Sequence, residues 1–331
     1  MNKYIFPEEL KKYGPVETLN GQAVALLEQQ KNVWDTAGSN YGALATVRSK
    51  SLSVGYYSFQ VQFNPSRIVS SAAKVDTHSI RERKCFLCTQ NLPEVQQGLP
   101  FGDRYMILVN PFPIFPQHLT VPLLEHSNQR ILEHFPDMLE LGRQLERFVI
   151  FYNGPKCGAS APDHMHFQAG NKGFLPMQKD WELLKRDYAS LLLRREGVSL
   201  FRLTGYPQAA FVVESSDREK LVRCFRRIYD LLPVGEGEEE PMLNILCSFE
   251  NGHWIVWIFP RRLHRPSQYF DEGPERLLIS PASVDLGGIF ITPREEDFNR
   301  LSPTDIEDIL HQISITPASM EELCNYLKEN E

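Results

Sequence analysis

The stretch FVIFYNGPKCGASAPDHMHFQA, residues 148–169, carries the features from which the fold is predicted. Residues 148–152 are apolar and aromatic, which predicts a buried strand. A loop with two glycines follows, and after it polar and apolar residues alternate. Because successive side chains of a strand point to opposite faces, His164, His166 and Gln168 share one face. The stretch therefore predicts two strands, the second of which carries a row of polar side chains.

Strand and helix patterns alternate along the rest of the chain. Strands are predicted at 56–63, 104–110, 118–124, 242–248 and 253–260, with a further pair within 276–292. Helices are predicted at 17–35, 127–147 (with Ser127 as N-cap), 181–195 and 216–232, and Ser302-Pro303 and Thr316-Pro317 predict two more helix starts. Antiparallel strands with flanking helices predict an α+β fold.

The order of these elements suggests two related lobes. The first half runs strand, strand, helix, strand, strand, and the second half is predicted to hold the same elements in rotated order. We predict a catalytic lobe at 1–175 with an N-terminal extension, and a second, related lobe at 176–331 with C-terminal helices. The acidic segment 234–241, VGEGEEEP, is predicted to be an exposed loop.

Composition excludes several classes of protein. The 331 residues are 42% hydrophobic and 23% charged, as in ordinary globular domains. A net charge of −7 argues against a general nucleic-acid binder, which needs a broad basic face. The longest weakly charged stretch, 105–124, holds four prolines and is not expected to span a membrane. The N-terminus lacks a signal-peptide pattern, so we expect a cytoplasmic protein.

The two histidines of the H-x-H run are candidates for phosphorus chemistry. A histidine that attacks phosphorus must be neutral, oriented through its second ring nitrogen, and close to donors for phosphoryl oxygens. Asn153, Gly158 and Ser160 in the preceding loop could supply such donors, and Gln168 could bind phosphate from the strand. The alternative is a strand with two exposed histidines.

Cys85 and Cys88 form the one closely spaced cysteine pair. They could be two buried core residues, and no βαβ pattern supports a thioredoxin-like site. Structural zinc needs four ligands, two of which this pair could supply. Candidates for the others are His118, His126 and His164.

Three arginines are candidates for binding an anionic substrate. Arg67 follows the strand at 56–63, and Arg261 and Arg262 follow the strand at 253–260. The alternative is that they lie in solvated turns. Because the chain is acidic overall, cations near a phosphate must come from a few local side chains.

The H-x-H-x-Q strand and the N-G-x-x-x-G-x-S loop before it together resemble the histidine-triad superfamily. The resemblance is to its transferase branch: galactose-1-phosphate uridylyltransferases, diadenosine tetraphosphate phosphorylases and GDP-galactose phosphorylases. In that branch glutamine replaces the third histidine of the hydrolases. The resemblance extends over 56–170 and implies histidine-triad-like antiparallel sheets. Met165 is closer to the phosphorylase pattern than to the uridylyltransferase pattern.

The resemblance also implies a structural zinc site. The C-x-x-C pair resembles the zinc pair of bacterial uridylyltransferases, in which a histidine after the second strand and the first histidine of H-x-H complete the set. These positions match His126 and His164, so the implied ligands are Cys85, Cys88, His126 and His164.

The implied activity is nucleotidyl transfer through a covalent nucleotidyl-histidine on His166, with Gln168, Ser160 and Asn153 orienting phosphates. The substrates would be a sugar nucleotide or dinucleoside polyphosphate and a phosphate-bearing acceptor. We expect residues 242–315 to complete the pocket, with Arg261 or Arg262 near the phosphates. Two alternatives remain: a zinc-stabilised nucleotide-binding protein without turnover, and a nucleotide hydrolase. We expect neither a nucleic acid nor a membrane as a partner, and the chain could form a homodimer.

Overall fold

The computed structural model of the protein describes residues 3–68 and 77–329. Its strands are β1 (Arg48–Val54), β2 (Tyr57–Phe63), β3 (Gly98–Phe101), β4 (Tyr105–Val109), β5 (His118–Pro122), β6 (Phe148–Asn153), β7 (His166–Asn171), β8 (Ala189–Arg195), β9 (Val198–Leu203), β10 (Phe211–Ser215), β11 (Leu243–Glu250), β12 (His253–Pro260) and β13 (Ile289–Thr292). Most of the predicted strands are confirmed within a few residues. The tight turn of the β11–β12 hairpin is confirmed too, with positive φ at Asn251 and Gly252.

The helices of the described residues flank these strands. They are α1 (Pro7–Leu10), α2 (Leu19–Val33), α3 (Asp35–Ala43), α4 (Thr77–Glu82), α5 (Phe135–Gln144), α6 (Pro176–Lys179), α7 (Trp181–Tyr188), α8 (Arg218–Leu231), α9 (Ser283–Leu286), α10 (Glu295–Arg300), α11 (Pro303–Ile313) and α12 (Pro317–Glu329). Ser302 caps α11 and Thr316 precedes α12 as predicted, each followed by proline. No helix in the described ranges is long and apolar enough to cross a bilayer.

Ten strands form one antiparallel sheet in the order β3-β4-β5-β7-β6-β11-β12-β10-β9-β8. A second, three-stranded sheet has the order β1-β2-β13, and in it β13 runs parallel to β2. The α+β prediction with large antiparallel sheets is confirmed.

The large sheet is built from two copies of one topology. In chain order, each half has three strands, a helix and two strands, and the fourth strand of each half lies at the centre of the sheet. The two central strands, β6 and β11, pair with each other through Asn153 opposite Asn244. The predicted rotated order of the second half is therefore wrong, because helix α8 precedes the β11–β12 hairpin just as α5 precedes β6 and β7. The lobe boundary at residue 175 stays a prediction.

Two predicted helices are shorter than expected. The helix predicted over 181–195 ends at Tyr188, and β8 follows it and pairs with β9 around a turn with positive φ at Glu196 and Gly197. The helix predicted over 127–147 begins only at Phe135. Pro136 stands in its first turn, where proline costs no hydrogen bond, and so it begins the helix instead of breaking it. Ser127 is therefore not its N-cap.

Two other segments also differ from prediction. The strand pair expected within 276–292 is the short helix α9 and the single strand β13. In the loop 234–241, Glu240 is only 4% exposed. Its carboxylate accepts hydrogen bonds from the Tyr152 hydroxyl and from the Ile131 amide at 2.8 Å. These bonds satisfy a carboxylate that could not otherwise be buried.

Two apolar cores cover the two faces of the large sheet. Met165 and Phe167 pack into the core beneath α2, α5 and α8. Phe151 on the neighbouring strand β6 packs into the opposite core, beneath the three-stranded sheet and α11. Since side chains alternate along a strand, His166 and Gln168 lie on this second face.

Candidate active site

His166 is the first residue of β7, and its side chain is buried. Its Nδ1 lies 2.7 Å from the carbonyl oxygen of His164. Because a carbonyl can only accept, Nδ1 carries the proton and donates it, and Nε2 keeps its lone pair. Burial lowers the pKa of His166 to about 4, so the ring is neutral near pH 7. This arrangement gives a neutral, oriented imidazole of the kind that can act as a nucleophile.

Gln129 fixes the backbone of His166, and sequence reasoning missed it. Its Oε1 accepts the His166 amide at 2.8 Å. Its Nε2 donates to the carbonyl oxygens of His166 and Asn153, both at 3.0 Å. Gln129 is buried and so joins the end of β6 to the start of β7. A lone Gln in the sequence HSNQR carries no periodic signal, so only the fold reveals this role.

Gln168 is oriented by His118, a residue that the sequence had offered only as a metal-ligand candidate. The His118 Nδ1 accepts the Ile114 amide at 3.2 Å, so its protonated nitrogen is Nε2, which lies 3.1 Å from the Gln168 Oε1. Burial lowers the pKa of His118 to about 3 and keeps this ring neutral. With Oε1 taken as acceptor, the Gln168 amide has its NH₂ group left to donate to a ligand.

The loop after β6 lies against a segment from the second half of the chain. The Asn153 Oδ1 accepts hydrogen bonds from Asn244 Nδ2 at 2.8 Å and from the Ser283 amide at 2.9 Å. Gly158 has φ +89°, and a Cβ there would lie 2.5 Å from that of Ala282. Only glycine permits this approach. Both the positive φ of Gly158 and its close packing against Ala282 therefore require glycine at this position of the motif.

One cavity of about 840 Å³ collects most of the predicted site residues. Those in its wall are Arg67, Asn153, Gly158, Ser160, His166 and Gln168. His264, Arg265 and Ser280 from the second half of the chain also line it. The cavity is large enough for a nucleotide-sized ligand and is formed by both halves.

Two half-buried cations face this cavity. Arg67 Nη1 donates to the carbonyl oxygen of Phe112 at 2.7 Å, and burial lowers its pKa to about 10, which leaves it protonated. Arg265 donates from Nε to Ser280 Oγ at 3.0 Å and lies 4.1 Å from the ring centroid of Tyr269. Both guanidinium groups retain further N–H donors for an anion.

Arg261 and Arg262 do not line the cavity. Arg261 is buried, and its Nη1 donates to the Oδ1 of Asn244 at 2.7 Å and to the Pro281 carbonyl at 3.0 Å. Arg262 donates to main-chain carbonyls near the end of α11. The structure therefore does not bring them to the site, and Arg265 of the same basic cluster stands there instead. Arg261 supports the Asn244–Asn153 contact from behind.

Cys85, Cys88, His126 and His164 form a cluster in which the four candidate ligand atoms lie within 4.8 Å of one another. The His164 Nδ1 lies 3.2 Å from both Cys85 Sγ and His126 Nδ1, and 3.6 Å from Cys88 Sγ. Ligands of a tetrahedral zinc are separated by about 3.3–3.8 Å, given Zn–N and Zn–S bonds of about 2.0–2.3 Å. The ligand types and their spacing fit zinc.

The hydrogen bond behind His164 supports the same interpretation. Its Nε2 lies 2.8 Å from the carbonyl oxygen of Leu123, so Nε2 is the protonated nitrogen and Nδ1 is free to bind a metal. His164 and His166 therefore use opposite tautomeric arrangements. The free nitrogen of His164 belongs to the metal-ligand cluster, and His166 lines the cavity.

Each half of the chain matches a protein-family description. Residues 26–171 match a domain of unknown function, DUF4922, and residues 183–330 match the GDPGP1-like C-terminal domain. No curated protein sequence matches the chain.

Among solved structures, the chain is similar to yeast Ap4A phosphorylase Apa2, with 20% sequence identity. The TM-score is 0.55 for the complex with AMP and 0.54 for the complex with Ap4A, and each alignment covers 86% of this chain and 97% of that chain. The structure described without a ligand gives a TM-score of 0.54 and covers 94% of that chain. The overall fold of this chain is thus similar to that of Apa2 over most of both chains.

Proposed function

We propose that this chain, whose fold is similar to that of yeast Ap4A phosphorylase Apa2, belongs to the transferase branch of the histidine-triad superfamily and is a nucleotidyltransferase or nucleotide phosphorylase that acts through His166. The observation that carries this proposal is the hydrogen bond from His166 Nδ1 to the His164 carbonyl, which leaves Nε2 as the nucleophilic nitrogen. A protein that only bound nucleotides would have no need of this tautomer at the wall of a cavity.

In the first step, Nε2 attacks the α-phosphorus of the nucleotide substrate. A P–N bond forms, the P–O bond to the leaving group breaks, and the leaving group departs with that electron pair. The proton on Nδ1 stays on the ring and in its bond to the His164 carbonyl, which stabilises the positive charge that develops on the imidazole. Gln129 holds the backbone of His166 in place during this change.

In the second step, an oxygen of the acceptor attacks the same phosphorus, and the P–N bond breaks. The neutral Nε2 is thereby regenerated. The NH₂ group of Gln168 and the amide of Asn153 would donate to the transferred phosphate. Arg67 and Arg265 would offset the charge of the leaving group and acceptor, and Ser160 would donate from the loop.

A dinucleoside polyphosphate or a sugar nucleotide is the proposed donor, and phosphate or a sugar phosphate is the acceptor. Both classes of donor carry at least two phosphates, which suits a cavity lined by two half-buried guanidinium groups. A hydrolase would use the same nucleophile with water as acceptor, so the acceptor has to be tested directly.

The test is turnover on a panel of Ap4A, UDP-sugars and GDP-sugars, with and without inorganic phosphate, followed by product analysis. A phosphorylase forms nucleoside diphosphate only when phosphate is present, whereas a hydrolase forms nucleoside monophosphate without it. His166→Ala should lose at least 10³-fold in rate. His253→Ala, at an exposed position at the start of β12, is the matched control and should keep full rate. Equal rates for both variants would refute the proposal.

We further propose that Cys85, Cys88, His126 and His164 hold one structural zinc. When bound, it would tie the segment around Cys85 to the residue that orients His166. Elemental analysis should find one zinc per chain, and Cys88→Ser should reduce this to near zero. A full complement of zinc in Cys88→Ser would exclude this ligand set.

A further inference from the structure

A short segment beside the metal cluster forms one wall of the cavity. Ser79, Arg83, Phe86 and Leu87 all line it, and this segment runs from α4 into the Cys85–Cys88 pair. The cluster thus lies directly behind a surface that faces the substrate. Among these side chains, Arg83 is the one that carries a charge.

The Arg83 guanidinium is held on two sides. Its Nη2 forms an ion pair with the Oδ1 of Asp163, and the group lies 5.0 Å from the ring centroid of Phe86. Asp163 adjoins His164, and Arg83 lies two residues before Cys85. Both partners of the ion pair are therefore fixed next to metal-ligand candidates, so the orientation of the guanidinium is set before any ligand arrives.

The other terminal nitrogen of the guanidinium, Nη1, takes part in neither of these contacts. Nη1 is buried and has no hydrogen-bond partner among the residues that the structure describes. An N–H group that is withdrawn from water without an acceptor is unfavourable, and at the wall of a cavity a bound ligand is one source of the missing acceptor. Arg83 lines the cavity and its side chain is 24% exposed, so a small turn of the guanidinium would bring Nη1 to an acceptor there.

We propose that Arg83 is a substrate-binding residue that donates from Nη1 to a phosphate oxygen of the nucleotide. Asp163 and Phe86 are its positioning residues. The inference deepens the proposed function and rests on it for the class of ligand. The metal-ligand cluster would then also help to position a phosphate-binding side chain, because Arg83 lies on the segment that contains Cys85 and Cys88.

The matched control is Arg104. It too forms an ion pair with an aspartate, Asp137, at 3.2 Å, and it too lies over an aromatic ring, that of Tyr105. Arg104 does not line the cavity and is half exposed. The two arginines therefore differ chiefly in their access to the proposed ligand.

The experiment measures dissociation constants by calorimetry for the four ribonucleoside 5′-diphosphates and for the corresponding nucleosides. For the diphosphate that the wild type binds best, Arg83→Met should weaken binding about ten- to hundredfold, and Arg83→Lys about three- to tenfold. Lysine keeps the charge but not the forked geometry. Arg104→Met should bind as the wild type does, and the affinity for the bare nucleoside should not change in any variant.

Each other outcome overturns the inference in a recognisable way. Unchanged diphosphate binding in Arg83→Met overturns it and leaves the proposed function intact. An equal loss for nucleoside and diphosphate means that Arg83 only shapes the wall. A wild type that binds no diphosphate overturns both proposals. If Arg83→Met does not fold, Arg83→Lys decides, and wild-type affinity in that variant overturns the inference.

Discussion

Gln129 illustrates how much of the site depends on single buried polar residues. Three of its hydrogen bonds set the position of the main chain at His166 and Asn153. Replacing it by leucine leaves one amide and two carbonyl groups buried without partners, which should cost about 1–3 kcal/mol of stability.

For Gln129→Leu we expect kcat to fall about ten- to hundredfold, because the nucleophile moves, while nucleotide affinity changes less. Steady-state kinetics together with urea unfolding would measure this. Gln144→Leu, on the exposed side of α5, is the control and should alter neither quantity. A Gln129→Leu enzyme with unchanged kcat would show that this clamp does not position His166.

Glu240 should make the stability of the protein depend on pH. Burial raises the pKa of its carboxyl from 4.5 to about 7, so the folded state holds a proton that the unfolded state has released between these values. The contribution of Glu240 to the free energy of unfolding is therefore greatest below pH 4.5. It falls as pH rises and becomes constant above about pH 7. The total change is about 3 kcal/mol.

Glu240→Gln should remove this slope, since glutamine does not titrate. Urea unfolding between pH 4.5 and 8 would reveal the variant as less stable than the wild type at low pH and closer to it, or more stable, at pH 8. Glu239→Gln is the control, because Glu239 is exposed and its pKa is lowered through its hydrogen bond to Arg130. Parallel pH profiles for the wild type and Glu240→Gln would contradict this assignment.

At the residue scale, the sequence predicted several side chains that line the cavity, but not the buried residues that hold them in place. The motif identified His166, Gln168 and the loop donors, because those residue types are rare in that spacing. His118 lies 50 positions from its partner Gln168, and Gln129 lies 37 positions from its partner His166, and no local pattern connects them to the motif. Arg261 or Arg262 was predicted near the phosphates, but Arg265 lines the cavity instead, because the path of the chain after β12 decides which arginine of the cluster faces it.

At the scale of elements, the loop between β6 and β7 depends on Gly158. Alanine there must adopt φ near +89° and also push its Cβ against Ala282, which comes from the second half of the chain. Gly173 has a similar φ of +77°, but nothing lies within 4 Å of its Cβ position. Alanine at position 173 would therefore introduce backbone strain alone, whereas alanine at position 158 would introduce backbone strain and a steric clash.

We expect Gly173→Ala to cost about 1 kcal/mol and Gly158→Ala about 2–4 kcal/mol, the difference being the displacement of Ala282. Chemical denaturation of both variants measures this. Gly158→Ala should also lose activity, because Ser160 lies two residues further along the loop. Equal destabilisation by the two substitutions would mean that the loop can move away from Ala282 at little cost.

Elements with clear periodicity were predicted well, and those stabilised by distant pairing were not. The β11–β12 hairpin has an Asn-Gly turn and apolar strands, so local signals sufficed. Strand β8 has the composition of a helix continuation and becomes a strand through its pairing with β9. Strand β13 also depends on pairing that no local pattern reveals, because its partner β2 lies more than 200 residues away and runs parallel to it.

At the scale of the whole molecule, two copies of one topology share a single sheet. The copies meet at β6 and β11, and both apolar cores receive side chains from both halves. The sequence motif occurs in one half only, since β12, HWIVWIFP, contains no H-x-H-x-Q run. This loss of sequence likeness explains why the repeated order could not be predicted correctly.

The shared sheet should make the two halves unfold together. We expect urea unfolding followed by circular dichroism and by tryptophan fluorescence to give one coincident transition. Three of the four tryptophans, Trp181, Trp254 and Trp257, lie in the second half and Trp34 in the first, so fluorescence weights the second half. Fluorescence change that precedes the loss of circular dichroism would indicate that the predicted lobes unfold separately.

The central claim is that His166 carries the nucleotide between donor and acceptor. Rapid mixing of the enzyme with its donor in the absence of acceptor, acid-free quenching and intact mass measurement test it most directly. The account predicts a mass increase of one nucleotidyl group per chain, located by peptide mapping at His166, which disappears when acceptor is added and never forms in His166→Ala. Turnover without any adduct, or an adduct on another residue, would contradict it.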